Sequence, residues 1–234
     1  MKEKIMGILG GMGPSATIDF FAEIVRKTDA NCDQEHLRII IDNNPKIPDR
    51  TEAILQDTVA PLALMSSSCQ LLENAGVHFI VIPCVSSHYF IEKLRNTIGI
   101  PIISIVEELT LAIQKKPKIS KVGLLATTGT VVGKVIQTVL EKNKIDLLLP
   151  SSGEQNNVME AIYLIKSSIS ESDRAKAKQL LITVAERLIL SGSQGIIAGC
   201  TEIPLVINNK DVDVPLFNTL TILAKAAVAN SKNL

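Results

Sequence analysis

Short apolar runs that end in small-residue loops alternate along this chain with stretches in which apolar residues recur every three or four positions. The first run, Lys4-Ile5-Met6-Gly7-Ile8-Leu9, breaks into Gly10-Gly11-Met12-Gly13-Pro14, and Lys121-Val122-Gly123-Leu124-Leu125-Ala126 breaks into Thr127-Thr128-Gly129. A continuous apolar run bounded by turn residues is the form of a strand buried on both faces of a parallel sheet. Further runs predict strands at 37–41, 77–83, 100–105, 147–149, 196–198 and 214–217. The intervening stretches predict helices. One runs from Ser15 to about Thr28, with Ile18, Phe21, Ile24 and Val25 as its apolar positions, and Pro14 suits its first turn. Another starts at Pro61, carries Leu62, Met65, Cys69 and Leu72 on one face and stops at Gly76. Further helices are expected from Cys84 to about Thr97, over 106–115, from Gly129 to about Lys142, over 158–168 and 173–190, and at the end of the chain. Strand–helix alternation of this kind predicts the α/β class with parallel sheets flanked by helices.

The pattern occurs twice. Gly7 and Gly123 are 116 positions apart (123 − 7), and the same offset relates Gly13 to Gly129 and Cys84 to Cys200. Pro101 and Pro215 are related by 114 (215 − 101). A duplicated half predicts two pseudo-symmetric domains, 1–104 plus 216–234 and 105–215, with a cleft between them. No linker rich in Gly, Ser or charge separates the halves, so they are expected to pack tightly. Each copy places one cysteine at a matching strand end. Ligands in open α/β sheets bind beyond the carboxyl ends of strands, where the loop Asp42–Arg50, with prolines at 45 and 48, also lies.

Composition narrows the function classes. The 234 residues are 46% hydrophobic and 21% charged, enough for a substantial core, and the formal net charge is zero. Aromatics are 3% and Trp is absent, so the basic stripe and stacking rings of a nucleic-acid surface are missing. No run of about 18 apolar residues predicts a membrane span, and Glu3-Lys4 leads into the glycine loop without a signal-peptide core. Four cysteines without a CxxC or ligand cluster suggest free thiols in a reducing cytoplasm. Cys84-x3-His88 lacks further metal ligands, and no GxSxG elbow occurs. Gly11-Met12-Gly13-Pro14-Ser15-Ala16 fits a dinucleotide loop, but Asp42 lies 31 residues on (42 − 11), beyond the usual ~20. No cofactor is expected.

A lone free cysteine is by default a small buried hydrophobe, which suits Cys69; Cys32 is expected in a loop. The symmetric placement of Cys84 and Cys200 argues for more. A free thiol is only about 3% thiolate at pH 7, and a helix starting just after each cysteine would lower its pKa and raise that share. Two thiols facing one tetrahedral carbon from opposite sides could remove a proton from one face and deliver one to the other, inverting the centre. The pair would share one proton, because two adjacent thiolates repel. His88, four residues past Cys84, could polarise it or could pack its helix; packing is the expectation.

Together, Gly7–Pro14, Asn43-Asn44-Pro45 with Ile47–Arg50, Ile82-Pro83-Cys84, Leu125–Thr130 and Ala198-Gly199-Cys200-Thr201-Glu202 resemble the aspartate racemases of the Asp/Glu racemase superfamily, nearly end to end. The resemblance implies two pseudo-symmetric α/β domains, cofactor-independent two-base racemisation of an acidic amino acid, and a homodimer. It makes Cys84 and Cys200 the bases. Thr127, Thr128, Ser86 and Thr201 would hold the substrate α-carboxylate and amine, and Arg50 and Lys166 its side-chain carboxylate. Met12, Val85 and Glu202 complete the expected binding wall. Where the family reads Pro-Cys-Asn-Thr-Ala-His, this chain reads Pro83-Cys84-Val85-Ser86-Ser87-His88, so Val85 replaces an amide that would hydrogen-bond substrate. Asn218 likewise stands where close relatives are expected to have an acid. The alternatives are a same-fold isomerase of glutamate or another amino acid, and a non-catalytic amino-acid-binding relative.

Overall fold

The alternation becomes two four-stranded parallel sheets of the same order. In a computed structural model describing residues 4–167 and 170–232, the first sheet contains β1 (Met6–Gly10), β2 (Ile39–Asn43), β3 (Phe79–Val81) and β4 (Ile102–Ile103), in the order β2-β1-β3-β4. The second contains β5 (Lys121–Leu125), β6 (Asp146–Leu148), β7 (Ile196–Ala198) and β8 (Leu216–Asn218), in the order β6-β5-β7-β8. The duplication extends to register. Gly7 pairs with Ile80, and 116 positions later Gly123 pairs with Ile196. The pairing puts residues 216–218 in the second sheet, three residues past the division expected at 215/216.

The helices are α1 (Pro14–Lys27), α2 (Arg50–Leu55), α3 (Leu62–Asn74), α4 (Ile91–Arg95), α5 (Ile105–Gln114), α6 (Thr128–Val132), α7 (Gln137–Lys142), α8 (Ser152–Ser167), α9 (Glu171–Leu190) and α10 (Thr219–Lys232). One continuous core joins the halves. It gathers Met6, Ile8, Phe79 and Val81 from the first sheet and Val122, Leu124, Ile197 and Phe217 from the second. Phe20 and Ile24 of α1, Leu109 of α5 and Leu223 of α10 fill it. Fully burying side chains of this size contributes about 1.5–3 kcal/mol each, so the halves cannot part here without a large loss. A second core packs α8 and α9 on the second sheet, and a third packs α3 on the first. Among the described residues no helix is long and apolar enough to cross a membrane.

Four expectations change. Of the apolar positions on α1 only Ile24 is buried, with Ala16, Thr17 and Phe20; Ile18 is 69%, Phe21 41% and Val25 40% exposed. Two apolar faces run along this helix, and spacing alone does not say which meets the core. The segment after Cys84 begins as a 3-10 turn, Ser86–Phe90, before α4. The segment after Thr127 divides into α6 and α7, with a break at Gly133-Lys134 where Lys134 has φ 51°. Finally, α8 starts at Ser152, well before the expected 158, because Glu154 closes back on the Ser151 N–H and hydroxyl at 2.8 and 2.7 Å. Its expected end at residue 168 lies outside the described residues.

Candidate active site

The carboxyl ends of the two sheets meet at an enclosed cavity. Met12 follows β1, Cys84 and Val85 follow β3, Thr127 follows β5, and Gly199 and Cys200 follow β7; all line it. Arg50 at the start of α2, Lys166 near the end of α8, and Ser86, Thr201 and Glu202 complete most of the wall. The cavity measures about 10 Å³, room for about one water. An amino acid therefore enters only if the walls move apart.

On the first half, tight backbone approaches hold the loops. Gly11 has φ +88°, and a Cβ there would lie 2.4 Å from the Asn44 backbone. The glycine run thus lets the β1 and β2 loops touch. Asp49 caps α2, accepting from the Glu52 N–H at 2.8 Å. Arg50 is thereby buried, and its guanidinium donates only to carbonyls: Ile47 at 3.2 Å, Pro48 at 3.0 Å and Met12 at 3.3 Å. Among the described residues its Nε has no partner. A buried cation without an acid is costly, so the arrangement favours an incoming anion.

Cys84 approaches the Ser86 hydroxyl at 3.5 Å. Its carbonyl accepts from Ser87 Oγ at 2.6 Å and meets His88 Nδ1 at 2.9 Å, while His88 Nε2 accepts from the Ile105 N–H at 3.1 Å. The last bond fixes the tautomer, leaving the proton on Nδ1. Burial lowers the His88 pKa to about 4. His88 therefore ties the Cys84 loop to α5 as a neutral ring and does not touch the sulfur.

On the second half, Cys200 Sγ donates to Glu202 Oε2 at 2.9 Å, and Thr201 Oγ1 donates to the same oxygen at 3.2 Å. Glu202 Oε1 lies 3.7 Å from Lys166 Nζ. Burial first, and then the Glu202 charge, push the Cys200 thiol well above its ordinary range; Lys166 opposes this and loses. Burial disfavours the Lys166 charge, but Glu202, Cys200 and Cys84 outweigh burial, so its pKa is raised. The expectation that a helix field lowers the Cys200 thiol is corrected here: a short 3-10 turn, not a long helix, follows it, and burial with the neighbouring carboxylate raises its pKa instead.

Ten of the eleven residues expected at the site line the cavity; Thr128 does not, its N–H meeting Met159 Sδ at 3.2 Å and its hydroxyl accepting from Gln155 Nε2 at 3.3 Å. Thr127 lines the wall, but its Oγ1 caps α6, accepting from the Thr130 N–H at 3.2 Å. Lining residues outside the expected set are Asp49, Thr51, Thr130 and Gly199. Thr51 carries no sequence signal of its own; the structure brings it in, because a Cβ on Gly129 would lie 2.7 Å from Thr51 Cα and the glycine permits that close approach. Cys69 is buried at the β1–β3 side of α3, its pKa raised to about 12 by burial and by Asp42 and Glu73, and takes no part.

Residues 9–227 match the family described as Asp/Glu/Hydantoin racemase. A broad specificity amino-acid racemase of Bacillus subtilis is 24% identical over 231 residues, 96% of this chain and 97% of that protein. The structure of Picrophilus torridus aspartate racemase superposes with a TM-score of 0.84 at 28% identity, covering 97% of this chain and 94% of that one. At 15% identity, glutamate racemase from Francisella tularensis shares the fold, with a TM-score of 0.70 over 97% of this chain and 80% of that one.

Proposed function

The chain belongs to the Asp/Glu/hydantoin racemase family and is a racemase, and we propose that it inverts the α-carbon of an acidic amino acid, aspartate first, with Cys84 and Cys200 as paired bases. Each half contributes one sulfur to the same enclosed cavity. In this reading one thiolate takes the α-proton while the other thiol protonates the opposite face, and no cofactor takes part.

Arg50 carries the acidic part of the reading. It is a buried guanidinium beside both cysteines, held by three carbonyls and matched by no acid among the described residues. A substrate side-chain carboxylate would supply that charge, with Lys166 nearby. Ser86 and Thr201 line the same cavity, and in this reading their hydroxyls hold the α-carboxylate and amine. The aspartate racemase of P. torridus supports aspartate. Val85 favours a second reading: an apolar wall accommodates neutral side chains, and the B. subtilis relative is a broad specificity enzyme.

Enantiopure amino acids assayed by chiral chromatography separate the two. Aspartate turnover exceeding that of neutral amino acids supports the first; comparable turnover across the panel replaces it with the second. A homodimer belongs to the proposal, because Ile18, Phe21 and Val25 form an exposed apolar stripe on α1. Sedimentation at two subunit masses would bear this out. Four free cysteines suit a reducing cytoplasm.

A further inference from the structure

The duplicated halves differ in the residues beside the sulfurs. Ser86 and Glu202 are counterparts, each two residues past its cysteine and related by the 116-residue offset (202 − 86). Ser86 offers Cys84 a hydroxyl at 3.5 Å, whereas Glu202 accepts from Cys200 at 2.9 Å. We propose that Glu202 is a positioning residue that holds the shared proton on Cys200 in the empty site, so that the sulfurs begin unequal, Cys200 as donor and Cys84 as acceptor.

The inference rests on the two-thiol reading above. Its physical basis is charge. Glu202 is nearly buried, and a thiolate at Cys200 would set a second negative charge within hydrogen-bond distance of the first. Lys166 faces both from α8, with Arg50 and Asp49 from the start of α2 and Cys84 across the cavity. The cation nearest Glu202, Lys166, stands 3.7 Å away and is 30% exposed, so it offsets only part of the repulsion. Glu202 Oε2 also accepts from Thr201, which orients the carboxylate toward the sulfur.

The step then balances. Cys84 thiolate forms S–H with the α-proton, and the C–H pair passes to carbon. That pair takes the Cys200 proton on the opposite face, leaving Cys84 as thiol and Cys200 as thiolate. Loss of the Cys84 proton to solvent together with gain of one at Cys200, or a reverse turnover, restores the start. Because enantiomers interconvert with an equilibrium constant of one, kcat/KM stays equal in both directions. The asymmetry shows in pH dependence and in kcat and KM separately.

The test measures iodoacetamide alkylation of Cys84 and Cys200 against pH, resolved by peptide mass spectrometry, in the wild type, Glu202→Gln and Glu202→Asp. Glu202→Gln is expected to move the Cys200 profile down by about one pH unit, roughly tenfold faster labelling at pH 7. The Cys84 profile should stay in place, and Glu202→Asp should remain near wild type. An unchanged Cys200 profile, or equal movement of both cysteines, overturns the proposal. Should Glu202→Gln fail to fold, Lys166→Met takes its place and should move the Cys200 profile up; no movement or a downward one overturns it. Labelling needs no turnover, so failure here with aspartate racemisation intact rejects the role of Glu202 alone.

Discussion

The loops after β3 and β7 hold cysteines at matched points of matched sheets, yet different bonds secure them. The Cys84 loop is anchored through its carbonyl by Ser87 and by the neutral ring of His88, which reaches across to α5. The Cys200 loop is secured through its own backbone, with the Gly199 N–H donating to Leu125 O at 2.7 Å and the Thr219 hydroxyl donating to Ala198 O at 2.8 Å. Its side-chain carboxylate turns instead to the sulfur. Duplication thus fixes where the reactive atoms stand. Single side chains that differ between the copies set how each loop is held.

The comparison can be broken most severely by removing either sulfur. Cys84→Ala and Cys200→Ala should each lower kcat about a thousandfold or more, since neither half can carry both proton transfers. Chiral chromatography with circular dichroism as a folding check measures this. Next in size is the His88 anchor, which only the first loop has. Its folded pKa of about 4 lies below the ordinary 6.5, so the unfolded chain binds the extra proton first. Stability should therefore be full above about pH 6.5 and fall as pH drops toward 4, by up to about 3 kcal/mol. Urea titrations across that range test it, and His88→Asn should flatten the His88-dependent part of the slope.

A smaller effect is expected at the cation of the first half. Arg50→Leu should cut kcat/KM for aspartate by about 10–100-fold and change neutral amino acids far less, because only the acid loses a charge-assisted bond. Equal losses for both classes would assign Arg50 to loop structure through its three carbonyl bonds. The smallest change is Val85→Asn, which restores an amide in the wall. It should raise preference for aspartate over neutral substrates several-fold, within the ~1 kcal/mol of one neutral hydrogen bond. A cost in folding accompanies it, since Val85 also belongs to the joint core.

Much of this was legible from spacing. Apolar runs ending in loops gave the strands, and the repeated offset gave two sheets of one order with a cysteine at each matching end. What failed depended on the third dimension. Ile18, Phe21 and Val25 have helical spacing and lie outward, because the core selects the Ala16–Phe20–Ile24 face. A five-residue 3-10 turn after Cys84 cannot be told from the first turn of a helix by periodicity, because it is too short to show a period. The upward push on Cys200 was hidden for another reason. Glu202 is adjacent in sequence, but its direction toward the sulfur is set by Thr201 and Lys166, and Lys166 comes from a helix 36 residues away (202 − 166). Thr128 was expected at the wall on motif alone; Met159 and Gln155 of α8 draw it aside.

The central claim, two sulfurs on opposite faces of one carbon, is tested most directly by turning over L-aspartate in D₂O and stopping at low conversion. The account predicts deuterium at the α-carbon of the D-aspartate formed, with the remaining L-aspartate still carrying its α-proton. Deuterium appearing in unconverted L-aspartate as fast as in product, or product that keeps the original proton, would mean a single base serving both faces and would contradict it.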